Sequence, residues 1–375
     1  MTTSASSDLP TITVEPSSAP ASAERRAEIL ANPGFGTHFT DHMFLAEWTP
    51  DGGWHNARVT AYGPLSLDPA TAVLHYAQEI FEGLKAYAHP DGSIRTFRPH
   101  ANAARMVRSA HRLALPEMPE DLFVAAIDAL VGTDAAWVPS GGETSLYVRP
   151  FMFASEVFLG VRPAAHVTFS VIASPAGAYF AGGLKPVSIW LSSEYARAGS
   201  GGTGDAKCGG NYAASLLPQS QATTHGCDQV VFLDDVEHTW VEELGGMNLY
   251  FVYDDATIVT PELSGSILEG ITRDSIKTLA RDLGHEVIQR RVGIDEWRDG
   301  VRSGRITEVF ACGTAAVLTP VGTLKWAEGD EIRELSSTDG EAGKVTTAIR
   351  EALVDIQYGR ADDRHGWMHE VVAGG

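Results

Sequence analysis

A glycine-rich run around Lys207 constrains this chain more than any other segment. Residues 202–215 read Gly-Thr-Gly-Asp-Ala-Lys-Cys-Gly-Gly-Asn-Tyr-Ala-Ala-Ser, which places a long cationic side chain between glycines. Glycines let the backbone turn sharply and let a bulky group approach it closely. A lysine held in such a place can lose hydration and become an amine nucleophile toward an aldehyde. The other interpretation is an exposed lysine in a surface loop, since most lysines stay in contact with water.

The same run does not form a nucleotide phosphate loop. That motif needs Gly-Lys followed directly by Ser or Thr. Here Ala206 precedes the lysine and Cys208 follows it. The chemistry of the lysine itself therefore remains the leading interpretation.

Length and charge limit the classes of protein and partner. A chain of 375 residues exceeds the roughly 250–300 residues at which single cores stop growing, so two domains are expected. A net charge of −20 repels nucleic acid and anionic membranes, and neither is an expected partner. Three cysteines without a C-x-x-C pair argue against a disulfide framework and predict a cytoplasmic protein. No apolar run reaches ~18 residues, so no transmembrane helix is expected.

Changes in composition divide the chain into segments. Residues 1–30 are rich in Ser, Thr, Ala and Pro, which is typical of a disordered tail. Residues 31–176 mix strand and helix patterns without regular βαβ alternation and are expected to form a small domain. The Pro- and Gly-rich residues 177–187 predict an interdomain linker. Residues 188–375 are expected to form a larger domain that carries the lysine loop.

Local patterns predict several elements that can be compared with the structure. Apolar residues at helical spacing predict helices over about 101–115, 268–283 and 341–357. A β-rich run predicts a strand over 144–153. Asp234, Asp235 and Glu237 are expected to form a solvated acidic turn.

Several motifs, in this order along the chain, resemble one family. The chain is similar to the branched-chain amino acid aminotransferases, which are fold-type IV pyridoxal-phosphate enzymes, from about Gly34 to its C-terminus. The motifs that carry the resemblance are Phe35-Gly36, Phe39-Thr-Asp-His-Met43, Phe81-Glu-Gly-Leu-Lys-Ala-Tyr87, Phe97-Arg-Pro99, Ser145-Leu-Tyr-Val-Arg-Pro150, the lysine loop, Glu243-Leu-Gly-Gly-Met-Asn248, Gly270-Ile-Thr-Arg273 and Gly313-Thr-Ala315.

The resemblance implies a fold and an activity. The fold is α+β, with a small α/β domain and a larger β-barrel-like domain surrounded by helices. The activity is reversible transamination of leucine, isoleucine and valine with 2-oxoglutarate, which gives branched-chain 2-oxo acids and L-glutamate. A cytoplasmic homodimer is implied as well. The order of preference among the three amino acids, and the choice between biosynthesis and breakdown, stay open.

The resemblance also implies a pyridoxal 5'-phosphate site. Lys207 would hold the cofactor as a Schiff base and move the substrate proton. Glu243 would pair with the pyridine nitrogen, although adjacent Glu242 competes for that role on sequence alone. Tyr212 would hydrogen-bond the phenolic oxygen. The phosphate would meet a set of polar groups, namely Arg105, the amides of Ile271 and Thr272, and Thr314.

Substrate residues follow from the same resemblance. The α-carboxylate would meet the Thr314 and Ala315 amides and the Tyr76 hydroxyl. Tyr147 and Arg149 lie at alternate positions of one predicted strand and share a face, and they would bind the γ-carboxylate of glutamate. The apolar walls would be Phe35, Tyr76, Phe81 and Tyr179.

Other interpretations remain for parts of the chain. Arg105 belongs to a basic stripe at i, i+3 and i+7 that is typical of a solvated helix face. A D-amino acid aminotransferase or an aminodeoxychorismate lyase is the alternative activity, and a non-catalytic binding protein on the same scaffold is another. The pairs His38/His42 and His365/His369 have the i, i+4 spacing of metal ligands, but no metal is expected. The redox C-x-x-C of many animal members is absent, with Ala316 and Thr319 at those positions.

Overall fold

The computed structural model describes residues 9–178 and 184–375. Its strands, in chain order, are β1 (Thr13–Val14), β2 (His42–Thr49), β3 (Gly53–Ala61), β4 (Glu79–Phe81), β5 (Leu84–Ala88), β6 (Ile94–Phe97), β7 (Ser145–Ala154), β8 (Val167–Ala176), β9 (Val187–Ser192), β10 (Gln229–Leu233), β11 (Val241–Leu244), β12 (Asn248–Tyr253), β13 (Ile258–Thr260), β14 (Val287–Gln289), β15 (Ile306–Gly313), β16 (Val317–Glu328), β17 (Glu331–Ser336) and β18 (Met368–Val372). Its α-helices are α1 (Ala23–Ala31), α2 (Val73–Tyr76), α3 (Pro99–Arg112), α4 (Glu120–Thr133), α5 (Gly209–Thr224), α6 (Ile271–Asp282), α7 (Ile294–Ser303) and α8 (Lys344–Gln357), with one short 3₁₀ turn at Ala135–Trp137.

The chain forms two compact units. The first contains residues up to Ala178 together with His365–Gly375, and the second is Tyr179–Arg364. The boundary falls within the segment expected to be a linker. The C-terminal residues differ from the expectation of a large domain over 188–375, because β18 pairs with β6 in the first unit.

The first unit is built on one mixed sheet. Its strand order is β1-β3-β2-β8-β7-β5-β6-β18, with β4 added to β7, and β1 joins β3 in parallel while the pairs among the other strands are antiparallel. α4 packs on this sheet because its residues Phe123, Ile127 and Leu130 are buried. The long β7–β8 ladder presents Tyr147 and Arg149 from one strand.

The disorder expected over residues 1–30 does not extend to residues 9–30. The Ser22 hydroxyl accepts a hydrogen bond from the Arg25 N–H and caps α1. The Ala21 N–H donates to Asp41, and the Ser17 N–H donates to His42 Nε2. These long-range contacts order a segment whose composition alone favours disorder.

The second unit contains a closed barrel. Strand β11 pairs with both β10 and β12, so the order β11-β10-β9-β16-β15-β12 returns to its first strand. Residues at alternate positions along these strands point inward and form one buried cluster, which includes Ile189, Leu191, Val231, Leu233, Leu249, Phe251, Val309 and Ala311. Closure removes the strand edges that would otherwise be exposed. The barrel-like domain predicted from the sequence is therefore confirmed.

One helix covers the outer face of the barrel beside the lysine loop. α5 packs on β9 and β10, where Trp190, Val230 and Phe232 form a small cluster with Ala222. This packing fixes the N-terminus of α5 at one end of the two strands. Lys207 stands two residues before that helix begins.

Candidate active site

The lysine loop of the second unit is held by its own side chains. The Asn211 amide donates to the backbone oxygens of Thr203 and Ala206, and the Thr203 hydroxyl donates to Asn211 Oδ1. Lys207 follows directly and is half-buried. Its Nζ donates to the Tyr212 hydroxyl at 2.7 Å, so the structure brings together two of the residues that the resemblance assigns to the cofactor.

Glu243 is a buried carboxylate beside this lysine. Its Oε1 forms an ion pair with Arg197 at 2.7 Å and accepts a hydrogen bond from the Leu268 N–H at 2.9 Å. Burial raises the pKa of the Glu243 carboxyl, and the positive charges of Arg197 and Lys207 act in the opposite direction. Such a carboxyl is suited to share a proton with a buried basic nitrogen.

Glu242 and Glu243 have separate surroundings. Adjacent residues of a strand face opposite sides, and the Glu242 carboxylate contacts the Ser266 hydroxyl instead. The structure thus distinguishes two acids that the sequence could separate only by the family pattern.

The N-terminus of α6 lies against the same strands. α6 begins at Ile271, and its first turn contains Thr272, so both amides lack an acceptor within the helix. The Tyr250 hydroxyl donates to the Arg273 carbonyl and fixes this turn to β12. An anion is favoured at such a helix end.

Gly270, immediately before α6, is required by a close approach. A Cβ at this position would collide with Asn248 Oδ1. Asn248 in turn donates to the Leu268 carbonyl at 3.0 Å, and its position on β12 pairs with Glu243 on one side and Cys312 on the other. The glycine therefore lets α6 start directly above the row of residues that contains Glu243.

Thr314 and Ala315 follow β15 in the turn to β16. The preceding residue is Gly313, and a Cβ added to it would lie 3.5 Å from the Gly246 carbonyl oxygen. A Cβ added to Gly246 would lie 3.6 Å from the Tyr212 ring. The turn that carries Thr314 is therefore close to Tyr212.

Four of the predicted substrate residues meet in the first unit. The Arg149 Nη2 donates to the Tyr147 hydroxyl at 2.9 Å, and its guanidinium lies 4.7 Å from the centre of the Phe81 ring. The Phe35 ring meets the Tyr147 ring edge-on at 5.1 Å. Gly83 allows this arrangement because a Cβ there would collide with the Tyr147 hydroxyl. Arg149 Nε is buried and has no hydrogen-bond partner among the described residues.

The Tyr76 hydroxyl has a backbone partner in the structure. The Tyr76 hydroxyl donates to the Leu159 carbonyl, so its expected contact with a substrate carboxylate stays a prediction. Tyr179 lies outside the described residues.

Arg105 is buried rather than solvated. Its Nε and Nη2 donate to the two oxygens of Glu82 at 2.7 and 2.8 Å, and the Asn102 amide donates to the same carboxylate. A bidentate pair of this kind orients the guanidinium plane rigidly. The predicted contact of Arg105 with a phosphate stays a prediction.

The histidine pairs have other partners. His42 lies in β2, where its Nδ1 contacts Asp134 at 2.7 Å. His369 lies in β18 and contacts Asp128, while the His365 ring stacks on Trp367. Across residues 9–178 and 184–375, His, Cys, Asp and Glu do not gather in groups of three or more that could hold a metal ion. The described helices include none that is long and apolar enough to cross a membrane.

Sequence reasoning missed Arg197 and Asn248 as site residues. Arg197 stands alone in an ordinary loop, ten positions before the lysine, and no local pattern marks its long-range contact with Glu243. Asn248 belongs to the motif Glu243–Asn248, but the motif did not indicate a role for its side chain. A buried carboxylate requires a nearby cation and donors, and that requirement is the only signal that could have directed a search for them.

Comparison with known proteins identifies one family. The model of the amino-transferase class IV family matches residues 79–324. A probable branched-chain-amino-acid aminotransferase of Streptomyces coelicolor is 62% identical over 96% of this chain and 98% of its own. A branched-chain amino acid aminotransferase of T.th. with pyridoxamine 5'-phosphate has a TM-score of 0.71 at 30% identity, over 87% of this chain and 98% of its own. The same enzyme complexed with N-(5'-phosphopyridoxyl)-L-glutamate has a TM-score of 0.70 at 30% identity and the same coverage.

Proposed function

The chain belongs to the class IV aminotransferases, and from that premise we propose that it transfers the amino group of branched-chain L-amino acids to 2-oxoglutarate. The products are the branched-chain 2-oxo acids and L-glutamate. The family identified from the motifs is confirmed by the family model and by the relative at 62% identity. The observation that carries the proposal is the contact of Lys207 Nζ with the Tyr212 hydroxyl beside the buried Glu243–Arg197 pair.

The residues of the second unit fit pyridoxal 5'-phosphate part by part. Lys207 supplies an amine for the aldehyde, and Tyr212 supplies a hydroxyl for the phenolic oxygen. Glu243 supplies a buried carboxyl for the ring nitrogen. The amides at the start of α6, with Thr314, suit a phosphate. When bound, this cofactor supplies an electrophilic aldehyde and a ring that accepts electrons.

Lys207 is proposed to act as the proton carrier. Its amine reaches Tyr212 at 2.7 Å, and the loop that bears it is fixed by Asn211. A positioned amine of this kind can take a proton from the substrate Cα and deliver it to the C4′ carbon of a bound cofactor. Glu243, paired with Arg197, would hold a proton at the ring nitrogen of the bound cofactor and so favour electron withdrawal.

Substrate selection is proposed for the group in the first unit. Phe35 and Phe81 offer apolar surface, whereas Arg149 offers a positive charge and Tyr147 a hydroxyl. The orphan Nε of Arg149 supports the binding of a second carboxylate. The two kinds of surface together account for a preference for both branched apolar side chains and glutamate.

Steady-state turnover tests this proposal. We expect glutamate to form from leucine and 2-oxoglutarate in a coupled assay, and Lys207→Ala to lower kcat by about 10⁴-fold or more. Lys344→Ala is the matched control, because Lys344 is exposed on α8 of the same unit, and it should leave kcat unchanged. Turnover unaffected by Lys207→Ala contradicts the role of the lysine, and glutamate formation only from D-amino acids contradicts the substrate class.

A cytoplasmic homodimer is proposed as the working form. The three buried free thiols, Cys208, Cys227 and Cys312, support a reducing compartment. The dimer rests on the resemblance to the family. Light scattering coupled to gel filtration should give twice the chain mass of 40.1 kDa, and a single chain mass would contradict the dimer.

A further inference from the structure

An acidic cavity lies on the side of the barrel that Glu242 faces. It has a volume of about 200 Å³ and is formed by the turn after β10, the first residues of β11 and the loop over 261–267. Its lining includes one guanidinium, that of Arg291, and five carboxylates, those of Asp234, Asp235, Glu237, Glu242 and Glu262. The sequence predicted only a solvated turn here.

Glu242 is the buried acid of the cavity. The residue is only 4% exposed to solvent. One oxygen contacts the Ser266 hydroxyl, and the other, Oε2, has no hydrogen-bond partner among the described residues. A buried carboxyl oxygen without a partner costs free energy, so a donor that reaches it would be strongly favoured.

The neighbouring charges do not supply that donor. Arg291 is directed to the rim, where it lies 3.4 Å from Glu262 and 3.8 Å from Glu237 and over the Trp240 ring. Asp234 accepts backbone hydrogen bonds from Glu237 and Trp240, among others, and closes the turn. The cavity therefore keeps an excess of negative charge.

Burial raises the pKa of the Glu242 carboxyl, and Asp234 and Asp235 add to that effect, whereas Ser266 and Arg197 oppose it. A cation that enters the cavity reverses the balance, because it favours the ionised carboxylate. Binding of a cation should thus lower the pKa of Glu242.

We propose that this cavity binds a small organic cation with a primary ammonium group, anchored by Glu242. A primary ammonium carries three N–H donors, which suits a carboxyl oxygen that lacks a partner. Trp240, Pro261 and Ile267 line the same cavity and give apolar surface for a short alkyl chain, and the Trp240 ring also attracts cations. A metal ion fits less well, because groups of three possible metal ligands are absent from the described part of the chain.

The proposal does not rest on the proposed catalytic function, although Arg197 acts electrostatically on both Glu242 and Glu243. Glu242 and Glu243 are consecutive residues of β11, so their side chains leave the strand on opposite faces. Binding can therefore be measured directly, without turnover. Failure of the aminotransferase proposal would leave the cavity and its charges unchanged.

Titration calorimetry on the full-length protein tests the site with n-butylammonium chloride as the probe. We expect saturable binding to the wild type and about 30-fold weaker binding to Glu242→Gln, as for the loss of one partner of a buried charged pair. Glu351→Gln, an exposed acid on α8 of the same unit, removes the same charge and should bind as the wild type does. Tetramethylammonium has no N–H donor and should bind more weakly than n-butylammonium does.

Two further measurements keep the test informative if Glu242→Gln folds poorly. Glu262→Gln changes a half-exposed rim acid and should weaken binding about threefold by its charge alone. Wild-type binding of n-butylammonium should weaken as pH falls, because protonation of Glu242 removes the negative charge that pairs with the ammonium. Absence of saturable binding, equal affinity in Glu242→Gln, or equal affinity for tetramethylammonium would overturn the proposal.

Discussion

Replacement of Arg197 by methionine tests the buried charge pair at the candidate site. Arg197 and Glu243 are 4% and 3% exposed in their side chains, and their charged atoms are 2.7 Å apart. Removal of one partner of such a pair costs about 3–5 kcal/mol, because the other charge stays buried without compensation. Arg197 also donates hydrogen bonds to the Gly204 and Ser266 carbonyls, and the loss of these bonds accounts for part of that cost.

The pH dependence of this loss has a definite sign. Burial already raises the pKa of Glu243 above its ordinary value of 4.5, and loss of the arginine raises it further. A carboxyl with a raised folded pKa contributes stability below its unfolded pKa and loses it as pH rises through the folded pKa. The loss in Arg197→Met should therefore grow as pH rises above 4.5 and should shrink as pH falls toward that value.

Denaturant unfolding at pH 8 and pH 5 measures the effect through the free energy of unfolding of the second unit. Arg302→Met is the matched control, since Arg302 forms an exposed ion pair with Asp299 and should cost at most about 1 kcal/mol. The double variant Arg197→Met with Glu243→Gln should recover the part of the loss that is due to charge. A loss below about 1 kcal/mol at pH 8, or one that is equal at both pH values and not rescued, would refute the reasoning.

Three other changes test different parts of the molecule. Gly270→Ala should cost about 2 kcal/mol by thermal unfolding, because its Cβ collides with Asn248, whereas Gly132→Ala in α4 meets no atom within 4 Å and should not destabilise. Arg149→Lys loses its planar contact with Phe81 and should raise the KM for 2-oxoglutarate about tenfold while the KM for leucine changes little; equal changes would contradict its assignment. The three cysteines are buried, and iodoacetamide should label none in the native protein and all three after denaturation, so rapid native labelling would contradict the packing.

The local elements of the fold were largely predictable from the sequence. The helices expected over 101–115, 268–283 and 341–357 appear as α3, α6 and α8, and the strand expected over 144–153 appears as β7. Each has a strong periodic pattern and a clear stop, such as Gly284 after α6. The barrel itself came from the resemblance, because short strands do not reveal their pairing order.

Contacts between distant segments were not predictable. β18 pairs with β6 from the far end of the chain, and nothing in Met368–Val372 marks that partner. The N-terminal helix α1 depends on contacts with Asp41 and His42. Composition describes a segment in isolation, whereas these segments are ordered by the surface on which they lie.

The candidate site was predictable where its residues belong to motifs that resemble those of a known family. Lys207, Tyr212 and Glu243 were identified through motifs, and the structure brings them together. Arg197 and Glu242 act through burial and charge, which are properties of the folded chain. A sequence shows that an acid is present but does not show whether it lies in water or beside an arginine.

Chemical trapping tests the central claim, the reaction of the Lys207 amine with the cofactor aldehyde, most directly. Protein saturated with pyridoxal 5'-phosphate is reduced with borohydride, digested and mapped by mass spectrometry. The account predicts one stable pyridoxyl label per chain on the peptide that contains residue 207, and its loss in Lys207→Ala. A label on a different lysine, or no label on saturated protein, would contradict it.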